Sequence, residues 1–132
     1  MKKKILFVDD EKSILDVLRA LFASEGYEPH CSLDGREALE IVRREHIHVC
    51  FVDLRMPVMD GMELCRQIKQ IEPSASVYAL SAFVDAYTPE QYDEAGFAGC
   101  FSKPFKIGAL LKAARTAFEK LEARDKQPRD ES

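Results

Sequence analysis

Five times along this chain a short apolar run is followed by a segment with helical spacing, and that alternation restricts the fold more than any other feature. Ile5-Leu6-Phe7-Val8 is apolar at every position, as a strand covered on both faces must be. Ile14, Leu15, Leu18, Leu21 and Phe22 then recur at helical intervals, and Gly26 ends that helix. A weaker strand is predicted over 28–32, and Asp34-Gly35 opens a helix carrying Ala38, Leu39, Ile41 and Val42. A third run, 46–52, ends at Asp53, with His46 and His48 at its entrance. After a loop over 54–59, Asp60 is a predicted N-cap for a helix with Leu64, Cys65, Ile68 and Ile71 on one face, stopped by Pro73. Val77 to Leu80 leads to Ser81; Thr88-Pro89 reads as a cap followed by a first-turn proline, and Gly96 closes that short helix. Ala98 to Ser102 is a last strand, and Ile107, Leu110, Leu111, Ala114, Phe118 and Leu121 mark a long amphipathic helix. Strand–helix alternation requires crossovers, so an α/β fold is expected, with a parallel sheet covered by helices on both faces.

Composition narrows the function. The 132 residues carry 19 basic and 23 acidic side chains, a formal net charge of −4, which argues against a nucleic-acid groove as the main surface. No apolar run is long enough to span a membrane, and the stretch behind Met1-Lys2-Lys3-Lys4 stops at Asp9-Asp10, too soon for a signal peptide. A cytoplasmic protein is expected, without room for a separate output domain of ordinary size. Cys31, Cys50, Cys65 and Cys100 form no C-x-x-C pair and read as buried reduced thiols rather than disulfides or metal ligands.

Ligands of an open parallel sheet bind beyond the carboxyl ends of its strands. Asp9 and Asp10 follow the first run, Asp53 the third, Ser81 the fourth and Lys103 the fifth. Polar residues follow strands as a matter of course, which accounts for one or two of these but poorly for five complementary ones. Three converging carboxylates repel one another and raise their own pKa values. A divalent cation relieves this, and an all-oxygen donor set favours a hard ion, Mg²⁺ or Mn²⁺. An ion of that kind shares phosphate oxygens readily, and a lysine and a hydroxyl beside it suit phosphoryl transfer to a carboxylate, a group able to act as covalent nucleophile.

Four segments carry a resemblance: Val8-Asp9-Asp10-Glu11, Asp53 to Gly61 (DLRMPVMDG), Leu80-Ser81-Ala82, and Lys103-Pro104-Phe105. In this order and spacing, over residues 3–121, the chain resembles the receiver domain of two-component response regulators, of the stand-alone type. The resemblance implies a flavodoxin-like (βα)5 three-layer sandwich with strand order 2-1-3-4-5. It implies a phosphorylation-activated switch whose Asp53 accepts a phosphoryl group from a sensor histidine kinase or phosphotransfer protein. It further implies that Asp10 and Asp53 ligate Mg²⁺ directly, with the Arg55 backbone carbonyl as a third protein ligand and Asp9 acting through metal-bound water. Lys103 then pairs with phosphoryl oxygens, Ser81 hydrogen-bonds one of them after the switch, and Ala82 is the small residue beside the site. Such a protein catalyses only its own phosphorylation and dephosphorylation, and docks on a downstream protein as a monomer or a weak phosphorylation-dependent dimer. Residues 122–132, of which seven are charged, are expected to be a disordered tail. An alternative is a receiver fragment of a larger regulator or hybrid kinase, with this tail as a linker stub. A phosphatase of the haloacid dehalogenase type is disfavoured, because the second acid those enzymes place two residues after the nucleophile is here Arg55.

The remaining motif residues have plainer readings. Pro57 and Gly61 read as loop geometry, Met56 and Met59 as packing, and Pro104 resembles the family's cis-proline turn. The family's aromatic residue three positions before the lysine is here Cys100, and Phe101 is expected on the other face of the strand. The usual inward-turning ring is therefore absent, and the signal is expected to pass through the loop after Ser81. Phe83, two residues after Ser81, either shields the acyl phosphate from water or packs against its loop.

Overall fold

A computed structural model describes residues 2–126. Its elements are β1 (Lys4–Val8), α1 (Lys12–Ser24), β2 (Glu28–Ser32), α2 (Gly35–Glu45), β3 (Val49–Asp53), α3 (Gly61–Ile71), β4 (Ser76–Ser81), a 3₁₀ turn (Val84–Ala86), α4 (Pro89–Ala95), β5 (Phe97–Ser102) and α5 (Ile107–Lys126). All strand pairs are parallel, in the order β2-β1-β3-β4-β5. This is the flavodoxin-like topology expected from the sequence.

Two cores flank the sheet. Ile5, Phe7, Val49, Phe51 and Leu80 pack with α1 and α5, while Leu6, Val8, Cys50, Val52, Val77 and Ala79 pack with α2, α3 and α4. The first is aromatic at its centre: the Phe51 ring stacks on Phe7 at 5.5 Å and on Tyr78 at 5.1 Å. Residues of a strand alternate between the faces, so the unbroken apolar runs of β1 and β3 are what burial on both sides demands.

Local chemistry sets the helix starts. Asp34, Asp60 and Thr88 each accept a hydrogen bond from the backbone N–H three residues on, and Gln91 completes a capping box with Thr88. Gly96 ends α4 with φ of +102°, a conformation that costs glycine little.

Several boundaries differ from those read in the sequence. β3 begins at Val49, because His46 is the left-handed cap of α2 (φ of +55°), which places both histidines before the strand. The helix α5 runs to Lys126, so residues 122–126, expected in the tail, are helical. Docking of Leu110, Ala114, Ala117 and Phe118 anchors that helix, and Glu122 pairs with Lys3 at 3.8 Å. The rest of the predicted tail, 127–132, lies outside the described residues. Cys50 and Cys65 are buried thiols as expected, but Cys31 is half-buried and Cys100 exposed, because edge strands are covered less completely.

Candidate functional site

Register brings the carboxylates together. Val8 pairs with Val52, so Asp9 and Asp53, the next residues on adjacent strands, stand at one level of the sheet edge. Asp53 pairs with Leu80, and Ser81 pairs with Ser102, which puts Lys103 one step beyond. The five residues singled out in the sequence thus come from four strand ends that lie side by side.

Asp9, Asp53 and Ser81 are buried, unusual for such residues, whereas Asp10 is exposed. Carboxylate oxygens of Asp9, Asp10 and Asp53 all lie within 4.8 Å of one another. The Lys103 ammonium is 2.7 Å from Asp9 Oδ2 and 3.6 Å from Asp53 Oδ2. Asp9 Oδ1 accepts from the Glu11 N–H at 2.9 Å, and Asp53 Oδ1 from the Arg55 N–H at 3.1 Å. The Ser81 hydroxyl oxygen accepts from the Phe83 N–H at 2.9 Å, and the Ser81 carbonyl accepts from the Lys103 N–H at 2.9 Å. Ala82 is exposed directly beside Ser81.

These neighbours set the electrostatics. Burial is the main cause that pushes the Asp53 carboxyl up from 3.8 to about 6; the charges of Asp9 and Asp10 add to it, against the Arg55 N–H and Lys103. Burial draws the Lys103 ammonium down, but the hydrogen bond and charge of Asp9, with Asp53 and Glu11, outweigh it and raise its pKa. The acids therefore form an under-neutralised, all-oxygen cluster, a donor set that fits a hard divalent cation.

The loops explain the other motif residues. A Cβ on Gly61 would stand 2.5 Å from the Asp53 carbonyl oxygen and 2.8 Å from Leu54 Cα, so only glycine lets α3 start this close to the acid. Met56 is buried and Met59 packs on the core, in keeping with packing roles. Val58, at the loop apex, is fully exposed with φ of +72°. The Lys103–Pro104 bond is cis. Cys100 points to solvent, while Phe101 turns to the opposite face, 5.9 Å from Tyr78 and 6.3 Å from Phe51. The Phe83 ring is half exposed and lies beneath the Arg55 guanidinium, 4.4 Å away.

Sequence reasoning missed one cluster. Glu28, His30 and Glu45 meet on the β2 edge, with His30 Nε2 2.7 Å from Glu28. Residues 28 and 30 share a strand face, but only the tertiary fold brings Glu45 to them. Lys2 and Lys4 already neutralise these acids, at 3.3 and 3.1 Å.

A doubly wound α/β protein with acids, a hydroxyl and an ammonium gathered at the carboxyl edge of its sheet is the class that fold and site define. Within it, the model of the response regulator receiver domain matches residues 5–115, and the chain belongs to that family. It is 32% identical over 115 residues to sporulation initiation phosphotransferase F of Bacillus subtilis, covering 87% of this chain and 93% of that protein. It is 31% identical over 116 residues to regulatory protein AtoC of Escherichia coli, covering 88% of this chain but 25% of that one. The crystal structure of a CheY-like receiver domain protein from Methanospirillum hungatei superposes with a TM-score of 0.86, covering 94% of this chain and 99% of that one; at 24% identity it bears on the fold alone. Receiver domains are signalling switches of two-component systems that interact with histidine kinases and phosphotransfer proteins. Among the described residues no helix is long and apolar enough to cross a membrane.

Proposed function

We propose that Asp53 is the phosphoryl acceptor of a two-component phosphorelay and that its phosphorylation changes the surface this domain offers to a downstream protein. The observation that carries this reading is the bridging position of Lys103, 2.7 Å from Asp9 and 3.6 Å from Asp53, at the rim of a three-carboxylate cluster in which Asp9 and Asp53 are buried. An Asp53 oxygen attacks the phosphorus of a phosphohistidine on the donor protein. The P–N bond breaks as the P–O bond forms, and the imidazole takes up a proton. Even without a cation, where its pKa is about 6, Asp53 is mostly ionised at pH 7 and so available as the nucleophile. Asp9, Asp10 and Asp53, with the Arg55 carbonyl, would hold Mg²⁺, or Mn²⁺ in its place. That ion would supply positive charge to offset the carboxylates and the incoming phosphoryl group. Lys103 takes up phosphoryl oxygens, and the Ser81 hydroxyl donates to one of them with Ala82 leaving room beside it. The domain turns over no other substrate, and its setting is the cytoplasm.

The loop after β4 carries the signal, because Cys100 supplies no ring to swing inward. The same site serves a receiver that forms part of a longer regulator; the 25% coverage of AtoC is a case of that arrangement in a relative. Incubation with labelled acetyl phosphate and Mg²⁺ is expected to label the wild type and not Asp53→Asn; persistent labelling of the variant overturns the assignment. Lys103→Ala is expected to keep some labelling but lose phosphate-dependent capture of its partner.

A further inference from the structure

Away from the carboxyl edge, the side chains of Glu28, His30 and Glu45 converge on the corner where β1, β2 and the end of α2 meet. Glu28 and His30 stand on one face of β2, and Glu45 is the last residue of α2, so the cluster joins an edge strand to a helix end. One ligand atom from each, two carboxylate oxygens and a ring nitrogen, lie within 4.8 Å of one another. His30 Nε2 is aimed at Glu28 Oε2 from 2.7 Å. Lys4 marks a place for a cation: its ammonium donates to Glu45 Oε1 at 3.1 Å and to the Glu45 backbone carbonyl at 3.4 Å. We propose that Glu28, His30 and Glu45 form a second metal site, for a borderline divalent ion of the zinc class, chemically distinct from the all-oxygen cluster around Asp53.

The donor set decides the ion. An imidazole nitrogen suits zinc and its neighbours in the first transition series, whereas Mg²⁺ takes oxygens and keeps its waters. The two clusters are also apart in space: His30 is level with Leu6, three residues before Asp9, which is about 10 Å along the strand. Nitrogen and oxygen ligands held about 2.1 Å from a tetrahedral zinc ion stand about 3.4 Å from one another. The three side chains therefore need to close by no more than about 1.4 Å. All are partly exposed, at 22–31%, so rotation of the two glutamates supplies that movement while the strand and the helix end fix their roots.

Electrostatics favour a cation at this corner. Glu28 is held below the usual carboxylate range chiefly by its hydrogen bond to His30, and Glu45 chiefly by Lys4 with Arg44, so both are ionised at neutral pH. Glu45 also ends α2, where the last carbonyls lack intrahelical partners and carry the negative end of the helix dipole. The basic groups now present are weak competitors. Lys2, 3.3 Å from Glu28, and Arg44, 3.1 Å from Glu45, are largely exposed, and pairs of that kind contribute little and are screened by salt. Lys4 is more covered and is the cation that a metal displaces. The metal takes the Nε2 lone pair of a neutral imidazole whose proton sits on Nδ1, and the Lys4 side chain swings out to water.

Titration calorimetry with Zn²⁺ on the whole chain, in excess Mg²⁺ to fill the acceptor cluster, tests the site. His30→Gln and Glu45→Gln are each expected to bind Zn²⁺ about tenfold more weakly than wild type, whereas Asp53→Asn binds it equally well. Lys4→Met removes the competing ammonium and should bind about threefold more tightly. A corner that is only a network of ion pairs would show no such gain. Co²⁺ in place of Zn²⁺ should give the visible bands of nitrogen and oxygen ligands without the near-ultraviolet band of a thiolate, which separates this site from Cys31 and Cys100. Melting curves without Zn²⁺ establish that each variant is folded. A wild-type affinity no tighter than that of His30→Gln, a tenfold loss in Asp53→Asn, an unchanged affinity in Lys4→Met or a thiolate band each overturns the proposal.

Discussion

The two strands that deliver chemistry to the sheet edge from opposite sides of β4 are built very differently. β3 is buried at all five positions and ends on Asp53. β5, at the sheet's edge, exposes Ala98, Cys100 and Ser102 and ends one residue before Lys103. The acid is thus set in a packed wall, with Phe51 stacked between Phe7 and Tyr78 two residues below it and α3 pressed against its backbone at Gly61. The lysine stands on a thinly covered strand. The difference puts rigid packing beneath Asp53 and thin cover beneath Lys103; on the function proposed above, the acceptor side is the fixed one and the lysine side the one free to respond. It also explains how the chain tolerates Cys100 where the family carries a ring, since nothing in the core leans on that position.

The largest effect that separates the two strands should come from their centres. Phe51→Ala is expected to cost about 3–5 kcal/mol in urea unfolding. Cys100→Ala should stay within about 0.5 kcal/mol of wild type. A comparable loss from both would erase the distinction between packed and thinly covered strands. Next, Gly61→Ala should cost about 1–3 kcal/mol, because the added methyl meets backbone atoms that cannot swing aside. It should also impair labelling of Asp53, and normal labelling would show that the β3 wall yields.

Asp53→Asn sharpens the electrostatic side of the comparison. Between 3.8 and about 6 the folded state keeps a proton that the unfolded chain has released, so stability falls as pH rises through that window. Without divalent cations, the Asn variant should be more stable than wild type at pH 7 by about 1–2 kcal/mol, less than the full shift implies because solvent at the mouth screens it. The two should converge below pH 4. A parallel pair of pH–stability curves would show that burial does not strain this carboxylate. Adding Mg²⁺ should raise the melting temperature of the wild type more than that of Asp53→Asn. The smallest effect belongs to Val58→Gly. It relieves a positive φ at an exposed β-branched residue but adds entropy to the unfolded chain, for a net gain near 0.5 kcal/mol.

The order of elements, the parallel sheet and the acids at its edge were legible because each depends on residues near in sequence. Runs such as Ile5–Val8 report burial on both faces, Asp34, Asp60 and Thr88 report helix starts, and a polar residue after an apolar run reports a strand end. Boundaries were less legible where tertiary packing decides them. His46 leads into the largely apolar run that starts at Ile47 and looks like a strand entrance, yet it caps α2; residues 122–126 look like tail, yet they extend a helix already docked through Phe118.

By itself, the chain determined its alternation, its two-sided sheet and the residue types gathered at the carboxyl edge, since hydrophobic period and capping chemistry act over a few residues. Only the tertiary structure decided that Asp9 and Asp53 share a level, that Lys103 bridges them, that Glu45 joins Glu28 and His30, and that Arg55 turns its charge onto Phe83 rather than onto an acid. Those outcomes depend on strand register and on loops meeting across tens of residues, where no local pattern carries the information.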